Sequence, residues 1–339
     1  MNQTMAARGI SLRPYREKDE TEVIGLLKTA LGEGPTDNRT QEFFEWKHLN
    51  NPFGRSYLLV AECDGRIVGL RAFMRWSFVA DDQIVAAVRA VDTATHPDFR
   101  GLGIFSTLTL AALGDLAEEA DFVFNTPNDK SRPGYLKMGW RAVGNLPVRL
   151  RVQRPVRFAV GLRSLRTSSG PVRSRPSVDA LPAADALADV AGLGELVRSS
   201  SRQTGRLSTA HTSASLMWRY AKAPALDYRV VGDRQRGFAI FRVRPRGALW
   251  ETTVAEILIP DANPARAKEL LLEVGRAARV DHVTCMIPEG SAALTGSRRA
   301  RFVRSPIGMT LTARPLRSSP IDPLEKRSWA LTLGDVEVF

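Results

Sequence analysis

Apolar and polar positions alternate at the start of the chain, so Ile10-Ser11-Leu12-Arg13-Pro14-Tyr15 reads as a short strand. From Glu22 to Leu31 the spacing changes: Val23, Ile24, Leu26, Leu27, Ala30 and Leu31 fall on one face of a helix. A second helical face, Phe43, Phe44, Trp46 and Leu49, is expected within Thr40 to Leu49, ended by Asn50-Asn51-Pro52-Phe53-Gly54. Tyr57 to Cys63 is an apolar run of strand length, Asp64-Gly65 a two-residue turn, and Arg66 to Trp76 the return strand of a hairpin. Ile84 to Thr95 predicts a longer strand. It runs into His96-Pro97-Asp98-Phe99-Arg100-Gly101-Leu102-Gly103-Ile104-Phe105. A helix follows, with Leu108, Ala111, Ala112, Leu113 and Leu116 on one face, and then a short buried strand from Asp121 to Asn125.

The second half repeats part of this order. Trp218-Arg219-Tyr220-Ala221-Lys222-Ala223-Pro224 echoes Trp46-Lys47-His48-Leu49-Asn50-Asn51-Pro52, with six residues from tryptophan to proline in both. Strands are predicted from Tyr228 to Val231, Gly237 to Val243 and Thr253 to Ile259, a helix from Pro264 to Ala278, and a strand from His282 to Ile287. Where the first half has its glycine turn, the second has Pro260-Asp261-Ala262-Asn263-Pro264.

Length and composition bound the reading. A chain of 339 residues suits two globular units, and 44% apolar residues supply their cores. No run approaches the roughly 18 apolar residues of a membrane helix, so membrane spanning and general disorder are both excluded. The first eight residues lack a signal peptide's apolar run behind basic residues, and Glu17, Asp19, Glu20 and Glu22 follow, so a cytoplasmic protein is expected. The net charge of +12 is uneven: nine of the 48 basic residues, all arginines, lie between Arg141 and Val178, where there is no acid. With Pro155, Pro171, Pro176 and Thr167-Ser168-Ser169-Gly170 among them, they read as a connector, or else as a surface that attracts a nucleotide-bearing ligand or RNA. Cys63 and Cys285 sit in apolar runs and read as inert core residues. His48, His96, His211 and His282 have no metal-binding spacing, so no metal is expected.

The informative chemistry is the glycine turn between a strand and a helix. Such a turn exposes unpaired N–H groups at the positive helix end and lets a diphosphate approach the main chain. A dinucleotide fingerprint is a poor fit, because Ser106 stands for its third glycine and Asp121 precedes its strand instead of closing it. Arg100 to Phe105 instead resembles R-x-x-G-x-G/A, the acyl-CoA diphosphate loop of the GCN5-related N-acetyltransferase (GNAT) superfamily, although Phe105 stands where that motif has a small residue. Asn128-Asp129-Lys130-Ser131 followed by Tyr135-Leu136-Lys137-Met138-Gly139-Trp140 is similar to the superfamily's N-x-x-A and Y-x-k-x-G-F. The resemblance spans about residues 8 to 150 and agrees in element order.

The resemblance implies a mixed α/β (α+β) fold of tandem GNAT-like domains. Its expected parts are an acyl-CoA-binding domain at 8–150, a basic linker at 151–194, a degenerate second domain at 195–316 without CoA, and a tail at 317–339 packed back on the protein. It implies that acetyl-CoA or another acyl-CoA is held by Thr93, Ala94 and Thr95, by the loop Arg100, Gly101, Leu102, Gly103, Ile104 and Phe105, and by Asn128 and Ser131. Tyr135 falls where the superfamily places the hydroxyl that protonates the leaving sulfur. Asp92, the one carboxylate on the long strand, is the candidate base if apolar surroundings raise its pKa, or else the partner of a cation. The tail from Trp329 resembles W-x-L-T-x-G-D-x-D-x-F, the ending of some two-domain members associated with sugar modification, which implies either that Asp335 and Glu337 approach an amino-sugar or amine substrate or that the tail simply docks as a terminal strand. The expected function is acyl transfer, most directly acetyl, to a small amine such as an amino sugar or biosynthetic intermediate. The alternatives are an aminoacyl-tRNA-dependent transferase, for which the arginine-rich segment would hold RNA, and a non-catalytic binding module.

Overall fold

The computed structural model describes residues 5, 8–32, 39–162, 175–200 and 205–336. The alternating start forms β1 (Ile10–Pro14), and the first helical pattern forms α1 (Glu20–Leu31). The second becomes α2 (Gln41–Phe44), capped by Thr40, whose Oγ1 accepts from the Phe43 amide at 3.2 Å, and it widens into a π-type turn over Glu45–Leu49. Then come β2 (Tyr57–Cys63), β3 (Arg66–Ala80) and β4 (Gln83–Thr95). Asp64 and Gly65 both take positive φ, 48° and 77°, the geometry a two-residue hairpin turn demands. Asp81 and Asp82 do the same at 46° and 64°, so β3 runs four residues past the expected Trp76 and reverses directly into β4.

The first half continues with α3 (Ile104–Leu116), β5 (Phe122–Asn125), α4 (Arg132–Lys137) and β6 (Arg141–Leu146). The second half contains β7 (Arg149–Val152), α5 (Pro155–Gly161), β8 (Leu181–Pro182), α6 (Ala183–Ala186), α7 (Val190–Ser199), β9 (Ser208–Thr209) and α8 (Ser213–Leu216). α8 widens into a π-type turn over Met217–Ala221, as α2 does. There follow β10 (Tyr228–Asp233), β11 (Gly237–Arg246), β12 (Leu249–Leu258), α9 (Pro264–Ala277), β13 (His282–Cys285), α10 (Ala292–Arg299), β14 (Val303–Arg304), β15 (Met309–Pro315) and α11 (Leu333–Val336).

Two mixed sheets result, flanked by helices. The first has the order β1-β2-β3-β4-β5-β15-β6, with β9 added at the end of β3, and the second the order β14-β7-β13-β12-β11-β10-β8. The halves exchange a strand. β15, late in the chain, lies between β5 and β6 of the first sheet, pairing Thr312 with Asn125 and Met309 with Leu146. In return β7 lies between β13 and β14, pairing Leu150 with Thr284 and with Val303.

This exchange redraws the expected limits. Arg149–Val152 opens the second sheet, and the stretch expected as a linker, 151–194, contains α5, β8, α6 and the start of α7; only 163–174 lies outside the described residues. Met309–Pro315, expected to close the second unit, closes the first sheet. Each gap between two strands offers two ladders of hydrogen bonds, which only a strand from the other half is there to fill. The apolar interior follows the same plan. α3 covers the outer face of the first sheet with Leu108, Ala112 and Leu116, and α9 the outer face of the second with Leu270, Leu271 and Val274. The inner faces share one core containing Trp46, Trp76, Phe122, Trp218, Ile240 and Trp329. Cys63 and Cys285 are buried free thiols, and burial pushes the Cys285 thiol up to about 12.

Candidate active site

β4 and β5 run parallel for Ala87–Arg89 against Phe122–Phe124 and then separate. Past that point Asn125 turns to Thr312 of β15, while β4 continues through Ala90–Thr95 with its ladder to β3 alone. A bulge at Asp92, which lies between the pairs Ala72↔Val91 and Arg71↔Thr93, bends β4 away. One edge of Ala90–Thr95, expected to carry the CoA-binding Thr93, Ala94 and Thr95, thus keeps backbone groups that no described strand uses. An extended amide chain such as pantetheine can pair with such an edge.

The glycine turn lies beyond the end of β4. Pro97–Phe99 makes a single turn of 3₁₀-helix, Arg100 is extended, and Gly101 and Gly103 both stand at φ 80°, the left-handed region a side chain disfavours. Gly103 caps α3 without any side-chain bond, and the first turn of this 13-residue helix carries no acid. Its leading amides therefore point outward, uncapped, at the positive end of the helix dipole. Ile104 anchors this end: it is 1% exposed, and a Cβ at Gly69 of β3 would come within 2.6 Å of its side chain. Arg100 is exposed and reaches the Ala30 carbonyl at 3.4 Å, and Leu102 is half-buried. The Phe105 ring lies across α4, edge to face with Tyr135 at 5.6 Å, and a Cβ at Gly134 would lie 3.2 Å from it.

Asn128 and Ser131 stand on the opposite lip, after β5. Asn128 Oδ1 accepts from the amides of Lys130 and Ser131 at 3.0 and 2.9 Å and from Ser131 Oγ at 3.1 Å, which fixes the start of α4. Tyr135, on α4, is 6% exposed. Its hydroxyl accepts from Arg71 Nη1 at 3.0 Å, and the same nitrogen donates to Thr93 Oγ1. The sequence reading missed Arg71. A charged residue inside the otherwise apolar run Ile67–Met74 of a central strand is the signal that marks it.

Asp92 departs from the expectation of a raised pKa. Its Oδ2 accepts from Lys47 Nζ at 2.7 Å and sits 2.9 Å from His48 Nε2. Burial opposes ionisation, yet the Lys47 charge and the His48 hydrogen bond outweigh it and hold the carboxyl far below the usual carboxylate range. Lys47 and His48 are themselves buried, on the π-type turn, and His48 Nδ1 meets Ser56 Oγ at 2.9 Å. Burial pushes the His48 imidazole down. Asp92 is thus the cation partner, and an anion held so firmly is a poor proton acceptor.

The tail lies at the other cleft. β12 and β13 also run parallel, over Glu251–Val254 against His282–Cys285, and separate beyond a bulge opposite Ile240 and Phe241. A cavity of about 140 Å³ opens there, lined by His211, Glu256, Ser291, Thr332 and Asp335 among others. Asp335 is 2% exposed and accepts from Thr209 Oγ1 at 2.5 Å and from the Thr332 amide at 2.7 Å. Glu256 accepts from Tyr220 Oη at 3.0 Å and Thr332 Oγ1 at 2.6 Å, with His211 Nε2 at 3.5 Å. One ligand atom from each of His211, Glu256 and Asp335 lies within 4.8 Å of the others, a grouping that three distant segments create. Arg89, at the last β4–β5 pair, donates to the carbonyls of Asp335 and Val336. Glu337 lies outside the described residues.

A family model described as an acetyltransferase (GNAT) domain matches residues 11–143. Among solved structures, a probable N-acyltransferase of Enterococcus faecalis is 14% identical with a TM-score of 0.62, over 91% of this chain and 72% of that one. A GCN5-related N-acetyltransferase of Anabaena variabilis gives the same identity and TM-score over 91% and 73%. Eis1 of Mycobacterium abscessus is 15% identical with a TM-score of 0.57, over 91% and 73%. At these identities the likeness is one of fold. No curated protein matches the sequence.

Proposed function

We propose that this chain, an acetyltransferase of the GCN5-related N-acetyltransferase superfamily, moves an acyl group from acyl-CoA to a primary amine of a small molecule, such as an amino sugar or biosynthetic intermediate, by direct attack in a ternary complex. The observation that carries the reading is the uncapped, acid-free start of α3 behind left-handed Gly101 and Gly103, next to the free edge of Ala90–Thr95. A diphosphate fits the first and an amide-bearing arm the second. Phe105 leaves the diphosphate contact to the main chain. Asn128 and Ser131 hold α4 so that Tyr135 faces the sulfur.

In this mechanism the amine nitrogen forms a bond to the thioester carbon, the carbon–sulfur bond breaks, and Tyr135 gives its proton to the departing sulfur. Most of the rate comes from holding the two reactants together. Asp92 keeps Lys47 and His48 in place, so the amine's proton leaves to water. The second unit and the tail shape the acceptor side. Of the arginines behind the tRNA alternative, Arg157 pairs with Asp281 and Arg175 with Asp227, and no observation favours that reading; Arg163, Arg166 and Arg173 lie outside the described residues.

The test is the melting temperature with CoA and with acetyl-CoA. A ligand at 100 times its Kd stabilises by about 2.7 kcal/mol, which raises the transition measurably. No change with either at millimolar concentration overturns the proposal.

A further inference from the structure

Arg71 is among the largest side chains buried outright, at 0% exposure. Among the described residues no acid pairs with it, and its Nε and Nη2 have no hydrogen-bond partner. Its guanidinium lies 4.3 Å over the Phe73 ring, a contact that softens the isolation of the charge without cancelling it. A buried cation with no anion is costly, and evolution of an apolar strand offers easier fillings of the same volume. Its one strong pair of contacts, through Nη1, goes to Thr93 on the open edge of β4 and to Tyr135 on α4.

Arg71 has donors only, so its bond to Tyr135 occupies an oxygen lone pair and the tyrosine O–H must point elsewhere. Thr93 Oγ1 donates to the Val91 carbonyl at 3.2 Å, which leaves its lone pairs to Arg71 and keeps the guanidinium from swinging. On the acyl-transfer reading given above, on which this inference rests, the direction left to the Tyr135 proton includes the opening between β4 and β5, where the sulfur departs. When that proton goes to sulfur, a phenolate forms 3.0 Å from Nη1. The unpaired cation then has its anion.

We propose that Arg71 is a positioning residue for the leaving-group proton: it aims the Tyr135 hydroxyl and is the counter-ion of the phenolate formed as the carbon–sulfur bond breaks. The charge pair exists after proton transfer and not before, so the interaction favours the transition state over the bound substrate. Water reprotonates the phenolate once the product has left.

The experiment is a double-mutant cycle on the full chain, with acetyl-CoA as donor, a primary amine taken from a panel by the wild-type protein, and release of free CoA thiol as the signal. General acids contribute about 10²- to 10⁴-fold, so Tyr135→Phe and Arg71→Met are each expected to lower kcat by about 100-fold while the KM for acetyl-CoA stays within about threefold. Arg71→Lys keeps the charge and is expected to recover about tenfold of that loss. In the Tyr135→Phe background Arg71→Met is expected to cost nothing more. Multiplying losses, or a raised KM at unchanged kcat, overturn the proposal. If Arg71→Met does not fold by its melting curve, Thr93→Val replaces it, since it loosens the guanidinium without removing it; its kcat loss is expected to vanish with Phe at 135, and persistence there overturns the proposal. A wild-type protein that binds no CoA, or accepts no amine, removes the acyl-transfer reading itself, an outcome distinct from independent behaviour of the two residues.

Discussion

Trp46 and Trp218 clasp each other across the two halves. Each indole Nε1 donates to the other's backbone carbonyl at 2.8 Å, with the rings stacked 5.0 Å apart at 22°. Reciprocal contacts of this kind are those of a twofold interface, here inside one chain. Both tryptophans sit on π-type turns, and a wider turn rotates a side chain off the face a regular helix would present. The exchanged strands β7 and β15 extend the same relationship to the sheets, so neither half can complete its own sheet.

A fragment of residues 8–150 is accordingly expected not to fold, because the gap between β5 and β6 stays open and the inner core is exposed. A cooperative melting transition in that fragment would show that β15 is dispensable. Trp218→Ala in the full chain is expected to cost about 3–5 kcal/mol, as for other buried tryptophans, and also leaves the Trp46 carbonyl without its indole donor and the Trp46 ring without its stacking partner. Denaturant titration measures it.

Much of this was legible. The hairpin at Asp64-Gly65, the long strand to Thr95, the glycine turn and the tryptophan repeat follow from spacing over a few residues, where propensity and turn chemistry act alone. What was hidden depends on distant pairing: the bulge that sets Asp92 against Lys47 and His48, the partner of Asn125 in Thr312, and the meeting of His211, Glu256 and Asp335. Spacing along β4 says nothing of a lysine 45 residues earlier.

Replacing Gly103 by alanine tests the anion cradle. The residue stands at φ 80°, where a Cβ costs about 1–2 kcal/mol, so the turn relaxes and the leading amides of α3 lose their alignment. The Kd for CoA is expected to rise roughly tenfold, since about 1.4 kcal/mol is a factor of ten, with the melting temperature of the free protein changed by only a few degrees. Calorimetric titration reads the affinity. An unchanged Kd would place the diphosphate elsewhere.

For Asp92 the expectation is a loss of stability, not of a base. Asp92→Asn leaves Lys47 buried without its anion, and removing one member of a buried pair costs about 3–5 kcal/mol. Because its native pKa is depressed, the wild-type carboxylate contributes stability above its ordinary value of 3.8, and that contribution fades as pH falls. The gap between the melting temperatures of the two proteins should therefore be full at neutral pH and narrow on acidification. A normally stable Asp92→Asn protein that binds CoA but has lost all turnover would restore the base.

The tail clamp carries the opposite pH dependence. Burial alone would depress His211, but Glu256, with Asp335 behind it, outweighs burial and the repulsion of Arg219 and leaves the imidazole above its ordinary value of 6.5. Asp335 is raised as well, by burial and then by the charge of Glu256. A group raised on folding stabilises fully below its unfolded pKa and stops doing so as pH climbs through its folded one. The tail should be held hardest on the acid side of neutrality, where a protonated His211 balances the two carboxyls beside it. His211→Gln is thus expected to lower the melting temperature more at pH 6 than at pH 8.5, and to speed amide exchange over 329–336 at the lower pH. An equal effect at both values, or a larger one at pH 8.5, would mean that His211 holds the tail in its neutral form.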